Sequence, residues 1–190
     1  MKSAAKWAVA LAVMSASLLV IPTAWGQLRT QSGAFKQADS IQHPKELERR
    51  IFQLTNEARR KHGLPTLDSD ETLTDVARKH SDDMLKRDYF SHTSPDGKSI
   101  IDRLQDEKPA LVKNMGRAGE NIFGSSKLDY SDVKTLARNI VDGWMTSPGH
   151  RANILNPKYT HLGVGVSVRG SECRATQTFG QKMKFSLGAP

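Results

Sequence analysis

The amino-acid sequence predicts a mixed α/β domain in which helices cover a largely antiparallel sheet. Residues 44–63 and 68–88 repeat apolar side chains at the three- and four-residue spacing of an amphipathic helix. Near the C terminus, residues 161–170 and 173–181 alternate in the manner of half-buried strands. Because no internal repeat is present and helices precede the strands, this order favours one domain of helices packed on a sheet.

The first predicted helix begins at Pro44, where proline is well placed because the first helical turn needs no N–H donor. Leu47 and Ile51 share one face of this helix, which we expect to be buried. Gly63 is suited to end the helix. His62 precedes that glycine, and we expect its charge to interact with the helix C terminus rather than to serve a functional site.

The second predicted helix carries a histidine on its apolar face. Asp68 and Glu71 have the spacing of a capping box, which places the helix start near them. The apolar face comprises Leu73, Val76, Ala77, His80 and Met84. A lone histidine on such a face is more often a hydrogen-bonded core residue than a ligand, so we expect a structural role for His80.

The middle of the chain is predicted to contain a turn, a short helix, a loop and a third amphipathic helix. Residues 94–97 have turn composition, and residues 99–107 are a short helix candidate. A loop follows and ends in residues 116–126. The third helix covers residues 130–147, and its apolar stripe includes Trp144, which we expect to be a core residue.

Small residues and prolines mark the ends of the last elements. Ser131 is predicted to cap the third helix, and Pro148 with Gly149 to close it. Gly170 and Ser171 supply a turn between the two alternating segments, which therefore form a predicted hairpin.

Cys173 is the only cysteine, so the chain cannot form an internal disulfide. We expect its thiol to be buried in a strand, with an intermolecular bridge left open as the alternative. The domain must then be stabilised by packing alone, and we expect a monomer.

The N terminus has the features of an exported protein. Lys2 and Lys6 precede an apolar run over residues 7–21 that is too short for a stable membrane span. Small residues before Gln27 predict signal-peptide cleavage near Gly26, and therefore a secreted protein, extracellular or periplasmic. The predicted organisation is a signal peptide over residues 1–26, a flexible lead-in over 27–43, one domain over 44–185 and a tail over 186–190.

The net charge of +8 permits peripheral contact with anionic surfaces. The basic residues are scattered among acidic ones without interleaved aromatics, so we expect no nucleic-acid binding. The common signatures of hydrolases, zinc proteases and nucleotide-binding proteins are missing from the sequence.

Three residues are the best candidates for chemistry from sequence alone. His92, Glu120 and His150 each lie where an ordered element is predicted to give way to a loop. Two imidazoles and a carboxylate are suitable ligands for a divalent metal such as zinc, and three ligands leave a position for water or substrate. Their spacing in the chain matches no local metal-binding motif.

The sequence around these residues resembles the CAP superfamily, also called the SCP domain, which groups cysteine-rich secretory proteins, insect venom antigens and plant pathogenesis-related proteins. The resemblance covers roughly residues 47–182. The sequence is most similar to the bacterial branch of the family, whose members lack the disulfides of the eukaryotic ones. It is carried by LTNEARRKHGLPTL, ARKHSDDMLKRDYFSHTSPDG, AGENIF, WMTSPGHRANILNPKYTHLGVGV and TQTFG. It implies an α-β-α sandwich, which agrees with the periodicity.

The resemblance also implies a central cleft with two histidines and two glutamates. Three of these positions match His92, Glu120 and His150, whereas Ser147 stands where the second glutamate would be. A serine can hydrogen-bond a histidine or water but cannot neutralise a metal's charge, so metal affinity should be weaker than that of a site with all four residues. Residues expected to support the site are Ser147, Asn121, Asn153, Gly119 and Gly149, the asparagines by tying down loops and the glycines by permitting close approach.

Three functions follow as hypotheses. The preferred one is an exported binding module whose cleft takes a lipid or envelope component, with a divalent metal as an optional organiser. The second is an interaction scaffold in the cell envelope, without cleft chemistry. The third is a hydrolase in which the histidines and Glu120 activate water, or in which Ser91 or Ser147 is the nucleophile.

Overall fold

A computed structural model describes residues 44–127 and 132–183, so the predicted signal peptide, lead-in and C-terminal tail lie outside the described residues. Helix α1 covers residues 44–61. The remaining elements are β1 (Asp68–Ser69), α2 (Glu71–Lys86), α3 (Ile100–Glu107), α4 (Pro109–Lys113), β2 (Met115–Ser125), α5 (Val133–Thr146), α6 (Pro148–Ile154), β3 (His161–Arg169) and β4 (Glu172–Lys182).

The four strands form one sheet in the order β1-β3-β4-β2. Strand β4 pairs antiparallel with both β3 and β2, and only the two-residue β1 pairs parallel, with β3. The predicted hairpin is confirmed, and Gly170 takes a positive φ of 61° in its turn, a conformation that glycine adopts without steric penalty. Strand β2 lies last in this order, at one edge of the sheet.

Helices cover both faces of the sheet, which confirms the predicted α-β-α arrangement. One apolar cluster joins α1, α5 and α6 to side chains of β3 and β4, among them Leu162 and Phe179. A smaller cluster joins α2 to α3 and α4 on the other face through Leu73, Val76 and Leu104. Burial of these apolar faces is the main stabilising contribution to the fold.

Two glycines let α2 lie directly on the sheet. A Cβ built on Gly163 would stand 2.1 Å from the Leu73 carbonyl carbon, and one on Gly165 would stand 2.0 Å from the Arg78 nitrogen. The nearest atoms at both positions belong to the backbone of α2. A helix backbone cannot move aside as a flexible side chain can. Ser81 completes this contact by donating to the Gly165 carbonyl at 3.0 Å.

The structure corrects two predictions about the first half of the chain. Residues 116–126, predicted as the end of a loop, lie almost wholly in strand β2. Its glycines and polar residues hide the alternation, because the polar side chains of Glu120 and Asn121 are buried rather than exposed. The predicted Asp68 and Glu71 capping box is also wrong, since Asp70 is the N-cap of α2 and accepts from the Leu73 N–H at 2.8 Å.

The ends of α5 differ in detail from the prediction. Ser131 lies outside the described residues, and Asp132 caps the helix by accepting from the Lys134 and Thr135 N–H groups. Pro148 does more than close α5, because it occupies the first turn of α6. Trp144 is confirmed as a core residue, and its indole donates to the Ile122 carbonyl at 3.0 Å.

The expected burial of Cys173 in a strand is confirmed, whereas for His62 only the contact with the helix end is. Cys173 is buried within β4. The His62 imidazole is exposed and hydrogen-bonds the Ala58 carbonyl at 2.8 Å near the end of α1. Of the helices in the described ranges, none combines the length and the apolar character needed to span a bilayer.

Candidate functional site

Glu120 lies in the middle of β2, with its carboxylate buried between three basic side chains. The carboxylate is only 3% exposed. Its Oε1 lies 2.9 Å from Nδ1 of His92, and its Oε2 accepts from Arg103 at 2.7 Å. His80 lies behind them, with Nε2 at 3.8 Å from Oε1. Since an ionised carboxylate can only accept, the His92 bond requires a proton on Nδ1 and leaves Nε2 of that ring for other partners.

Arg103 fixes the loop that carries His92. Its Nη1 donates to the carbonyls of His92 and Lys98 at 3.1 and 3.0 Å and lies 3.4 Å from the Ser94 hydroxyl. One guanidinium, 11% exposed, therefore holds both Glu120 and the chain that follows α2. Sequence reasoning did not identify Arg103, because nothing in the short α3 segment distinguishes this arginine from a surface residue.

His80 is buried as predicted, but it also adjoins Glu120. Its Nε2 bonds the Ser91 carbonyl at 3.1 Å, and its Nδ1 lies 3.4 Å from the hydroxyl of Tyr89. That hydroxyl donates to Asp83 at 2.6 Å. Burial and this bond raise the pKa of Tyr89 to about 12. The apolar-face position of His80 in α2 thus serves the core and the site together.

The burial of His80 predicts a loss of stability in mild acid. Burial lowers the pKa of His80 below 6.5, its value in the unfolded chain, against the attraction of Glu120. The unfolded chain therefore binds more protons between the two values, so stability is complete above the unfolded-state pKa and falls as the pH drops through it. We expect the free energy of unfolding, measured by urea denaturation, to decrease between about pH 8 and about pH 5.

In His80→Gln this decrease should be shallower, because the titrating group is gone. His150 and His161 also have lowered pKa values through burial, so part of the decrease should persist in the variant. An equally steep decrease in His80→Gln and in the wild type would contradict the assignment of this decrease to His80.

On the opposite face of β2, a buried polar network positions the backbone of His150. Asn121 donates to the His150 carbonyl at 3.1 Å and to the side chain of Gln177 at 3.0 Å. Asn153 donates to the Glu120 carbonyl at 3.0 Å and to Asn121 at 2.9 Å. Gln177 in turn donates to Thr55 of α1 at 2.7 Å. The network therefore links α1, the sheet and α6.

The two glycines expected to permit close approach behave differently. A Cβ on Gly119 would stand 2.1 Å from the Tyr159 hydroxyl and 3.0 Å from Oδ1 of Asn153, so this position requires glycine. A Cβ on Gly149 would meet nothing within 4 Å, so the close approach predicted there is wrong. Gly149 lies in the open first turn of α6.

His92 and His150 both line one cleft of about 620 Å³ between the edge strand β2 and helix α5. The cleft also contains Ser147 and the apolar side chains of Phe90, Ile122, Phe123, Ile140 and Trp144. The His92 side chain is 55% exposed. Burial lowers the pKa of His150, and the nearby His92 lowers it further, which favours the neutral ring. The cleft is therefore apolar with neutral or weakly basic polar groups.

Glu120 does not join the two histidines as a third metal ligand. Both of its oxygens are already bonded, one of them to the Arg103 guanidinium, whose positive charge disfavours a metal ion beside it. In the described ranges, no group of three or more His, Cys, Asp or Glu side chains is placed to hold a metal ion. The residues present thus do not fit the predicted three-ligand zinc site.

Where the structure describes the chain, the hydroxyl groups of the two serines considered as nucleophiles are not bonded to the rings of His92 and His150. Ser91 is exposed, and its hydroxyl accepts from the Thr93 N–H at 3.1 Å. The Ser147 side chain makes no capping bond to α6. Within residues 44–127 and 132–183, no hydroxyl hydrogen-bonds the ring of His92 or His150.

The chain is similar in sequence to two Bacillus proteins. The chain is 41% identical over 128 residues to the protein YkwD of Bacillus subtilis, covering 65% of this chain and 44% of that one. It is 40% identical to an extracellular protein containing a SCP domain from Bacillus anthracis, with a TM-score of 0.60, covering 73% of this chain and 41% of that one. The chain thus spans less than half the length of both relatives.

An outer surface protein of Borrelia burgdorferi shares the fold at 18% identity, with a TM-score of 0.62, covering 73% of this chain and 95% of that one. The sequence profile of the cysteine-rich secretory protein family, CAP, matches residues 52–179. This match contains the strand, loops and helices that carry His92, Glu120 and His150. The chain belongs to the cysteine-rich secretory protein family, CAP, and is of its bacterial type.

Proposed function

We propose that this chain is an exported binding module whose cleft takes a lipid or another apolar component of the cell envelope. The observation that carries the proposal is the lining of the cleft, where, among the residues that the structure describes, five apolar side chains stand beside two imidazoles and no carboxylate. Ligand sites of small molecules are typically concave and apolar, with a few polar groups that fix orientation. His92 and His150 are the polar groups suited to that orienting role.

Export is supported by the leader-like N terminus and by the relatives. The Bacillus anthracis protein is extracellular, and the Borrelia burgdorferi protein is an outer surface protein. An apolar ligand of the envelope would be within reach of a protein in either location. The proposal includes no zinc, because Glu120 is engaged by Arg103 and two imidazoles alone form an incomplete site.

A hydrolase is the second candidate, because Glu120 holds Nδ1 of His92 at 2.9 Å as a carboxylate orients a general base. Nε2 of His92 would then accept a proton from a water molecule. Turnover of peptide or ester substrates by purified protein, lost in His92→Ala, would favour this candidate over the binding module. Absence of turnover across a broad panel would exclude it.

The binding module can be tested through Trp144, which lines the cleft. In the 190-residue chain carrying Trp7→Phe and Trp25→Phe, Trp144 is the only tryptophan. We expect its fluorescence to change saturably with dodecyl maltoside, a neutral single-chain amphiphile, below the concentration at which micelles form. Gly143→Leu should abolish this change, because Gly143 lines the cleft and an added Cβ there meets nothing within 4 Å.

Gly149→Leu is the matched control. Gly149 is also a helical glycine with open space around it, but it does not line the cleft. This variant should bind dodecyl maltoside as the parent chain does. Equal binding by Gly143→Leu, or no saturable response in the parent chain, would contradict the proposed function.

A further inference from the structure

A second hollow adjoins the cleft beyond Phe90. This basic pocket, of about 480 Å³, is lined by Phe90, Gly124, Ser125, Ser126, Lys127 and Arg174. Phe90 and Gly124 also line the cleft, so the two hollows meet at these residues. Among the described residues, no aspartate or glutamate lines either one. The combined surface is therefore apolar over the cleft and positively charged over the basic pocket.

Arg174 has N–H donors that have no acceptor among the described residues. Its Nη1 donates to the Cys173 carbonyl at 3.0 Å, whereas its buried Nε has no hydrogen-bond partner in residues 44–127 and 132–183. A buried N–H without a partner is unfavourable, and an oxygen of a bound anion could supply the acceptor after a small shift of the side chain. In these same ranges, neither Arg174 nor Lys127 forms a salt bridge with a carboxylate.

Phe90 connects the two hollows and orients the arginine. Its side chain is 54% exposed, which is unusual for so large an apolar residue. The Arg174 guanidinium lies 5.8 Å from the centre of the Phe90 ring, within the range of a cation–π contact. A Cβ on Gly124 would stand 3.0 Å from that ring, so glycine at this position lets the ring lie against β2. An alkyl chain could thus pass Phe90 from one hollow to the other over an apolar surface.

We propose that the cleft and the basic pocket together bind a single-chain lipid with a phosphate headgroup. The alkyl chain lies against Ile140 and Trp144 in the cleft, and the phosphate binds Arg174, Lys127 and the hydroxyl groups of the basic pocket. Arginine is well suited to phosphate because its planar donors match the oxygens of the anion. This inference rests on the proposed function, since it requires the cleft to take an apolar ligand, and it adds the chemistry of the headgroup.

The test compares three probes on the 190-residue chain in which Trp144 is the only tryptophan. Dodecyl phosphate carries both groups, dodecyl maltoside carries only the alkyl chain, and inorganic phosphate is used as a competitor. We expect dodecyl phosphate to bind about tenfold tighter than dodecyl maltoside, which is a typical effect of hydrogen bonds to a charged group. Inorganic phosphate should displace dodecyl phosphate only at far higher concentrations.

Arg174→Gln should remove the preference for dodecyl phosphate and leave the affinity for dodecyl maltoside unchanged. Arg138→Gln is the matched control, because Arg138 is an exposed arginine of α5 that lines neither hollow. If dodecyl phosphate binds Arg174→Gln and the parent chain equally, the headgroup site is overturned while the proposed function stands. If neither amphiphile binds, both are overturned. Displacement by inorganic phosphate at equal concentration would also overturn the lipid, since the anion alone would suffice.

Discussion

Arg103→Ala is expected to lower the free energy of unfolding by about 3–5 kcal/mol, the usual effect of removing one partner of a buried ion pair. Glu120 is 3% exposed, so its carboxylate would keep a buried charge after its strongest partner is lost. The substitution also removes the bonds from Nη1 to the carbonyls of His92 and Lys98. Urea denaturation followed by circular dichroism measures the change.

Two variants separate the buried charge from the loss of packing. Arg103→Lys keeps a positive charge but cannot reach Glu120 and the His92 loop together, so we expect an intermediate loss. The double variant Arg103→Met with Glu120→Gln removes both charges and should recover much of the stability. If Arg103→Ala lowers the free energy of unfolding by less than about 1 kcal/mol, the Arg103–Glu120 pair contributes no more than a surface salt bridge. That result would contradict its role as a buried ion pair.

Gly165→Ala is expected to have the second large effect, a loss of about 2–3 kcal/mol or more from overpacking. The added methyl group would stand 2.0 Å from the Arg78 nitrogen and 2.2 Å from the Ala77 carbonyl carbon, both in the backbone of α2. Helix and sheet must therefore separate, which disturbs the packing around Ser81. Thermal unfolding should show a decrease in Tm of roughly 5 °C or more.

Gly143→Ala provides the control for this substitution. Gly143 lies within α5, and an added Cβ there meets nothing within 4 Å. Because glycine within a helix is less favourable than alanine, this variant should keep or raise the stability, by about 0.5–1 kcal/mol at most. A similar Tm for Gly165→Ala and Gly143→Ala would mean that α2 does not press on β3 as the structure has it.

The sequence predicted the elements whose buried faces carry apolar side chains at regular spacing, even where polar residues such as His80 and Gln177 are buried among them. The three amphipathic helices and the hairpin have such faces, and periodicity finds them because apolar side chains must repeat at the spacing of the backbone. Strand β2 escaped detection because two of its three buried residues, Glu120 and Asn121, are polar. Rules based on periodicity treat polar residues as exposed, and only the tertiary partners of these two show otherwise.

The candidate site was predicted only in part, because its polar contacts join distant elements and are not revealed by periodicity. The structure brings His92 and His150 to one cleft and puts Glu120 behind His92, but the carboxylate is held by Arg103, which lies 17 residues earlier in the chain and in another element. A pairing between distant elements leaves no local pattern in the sequence. The helical periodicity around His80 indicated only that this residue is buried. A core position and a position beside Glu120 have the same spacing within one helix, so the sequence could not distinguish them.

Side chains that reach β2 from α5 and α6 also occupy backbone acceptors at the free edge of this strand. An edge strand presents backbone groups on which a strand of another molecule can assemble. Here the Ile122 carbonyl accepts from the Trp144 indole, and the Glu120 carbonyl accepts from Asn153. Both acceptors are thereby withdrawn from intermolecular strand pairing, so the cleft can stay open along the edge strand without offering that edge as a template for fibre growth.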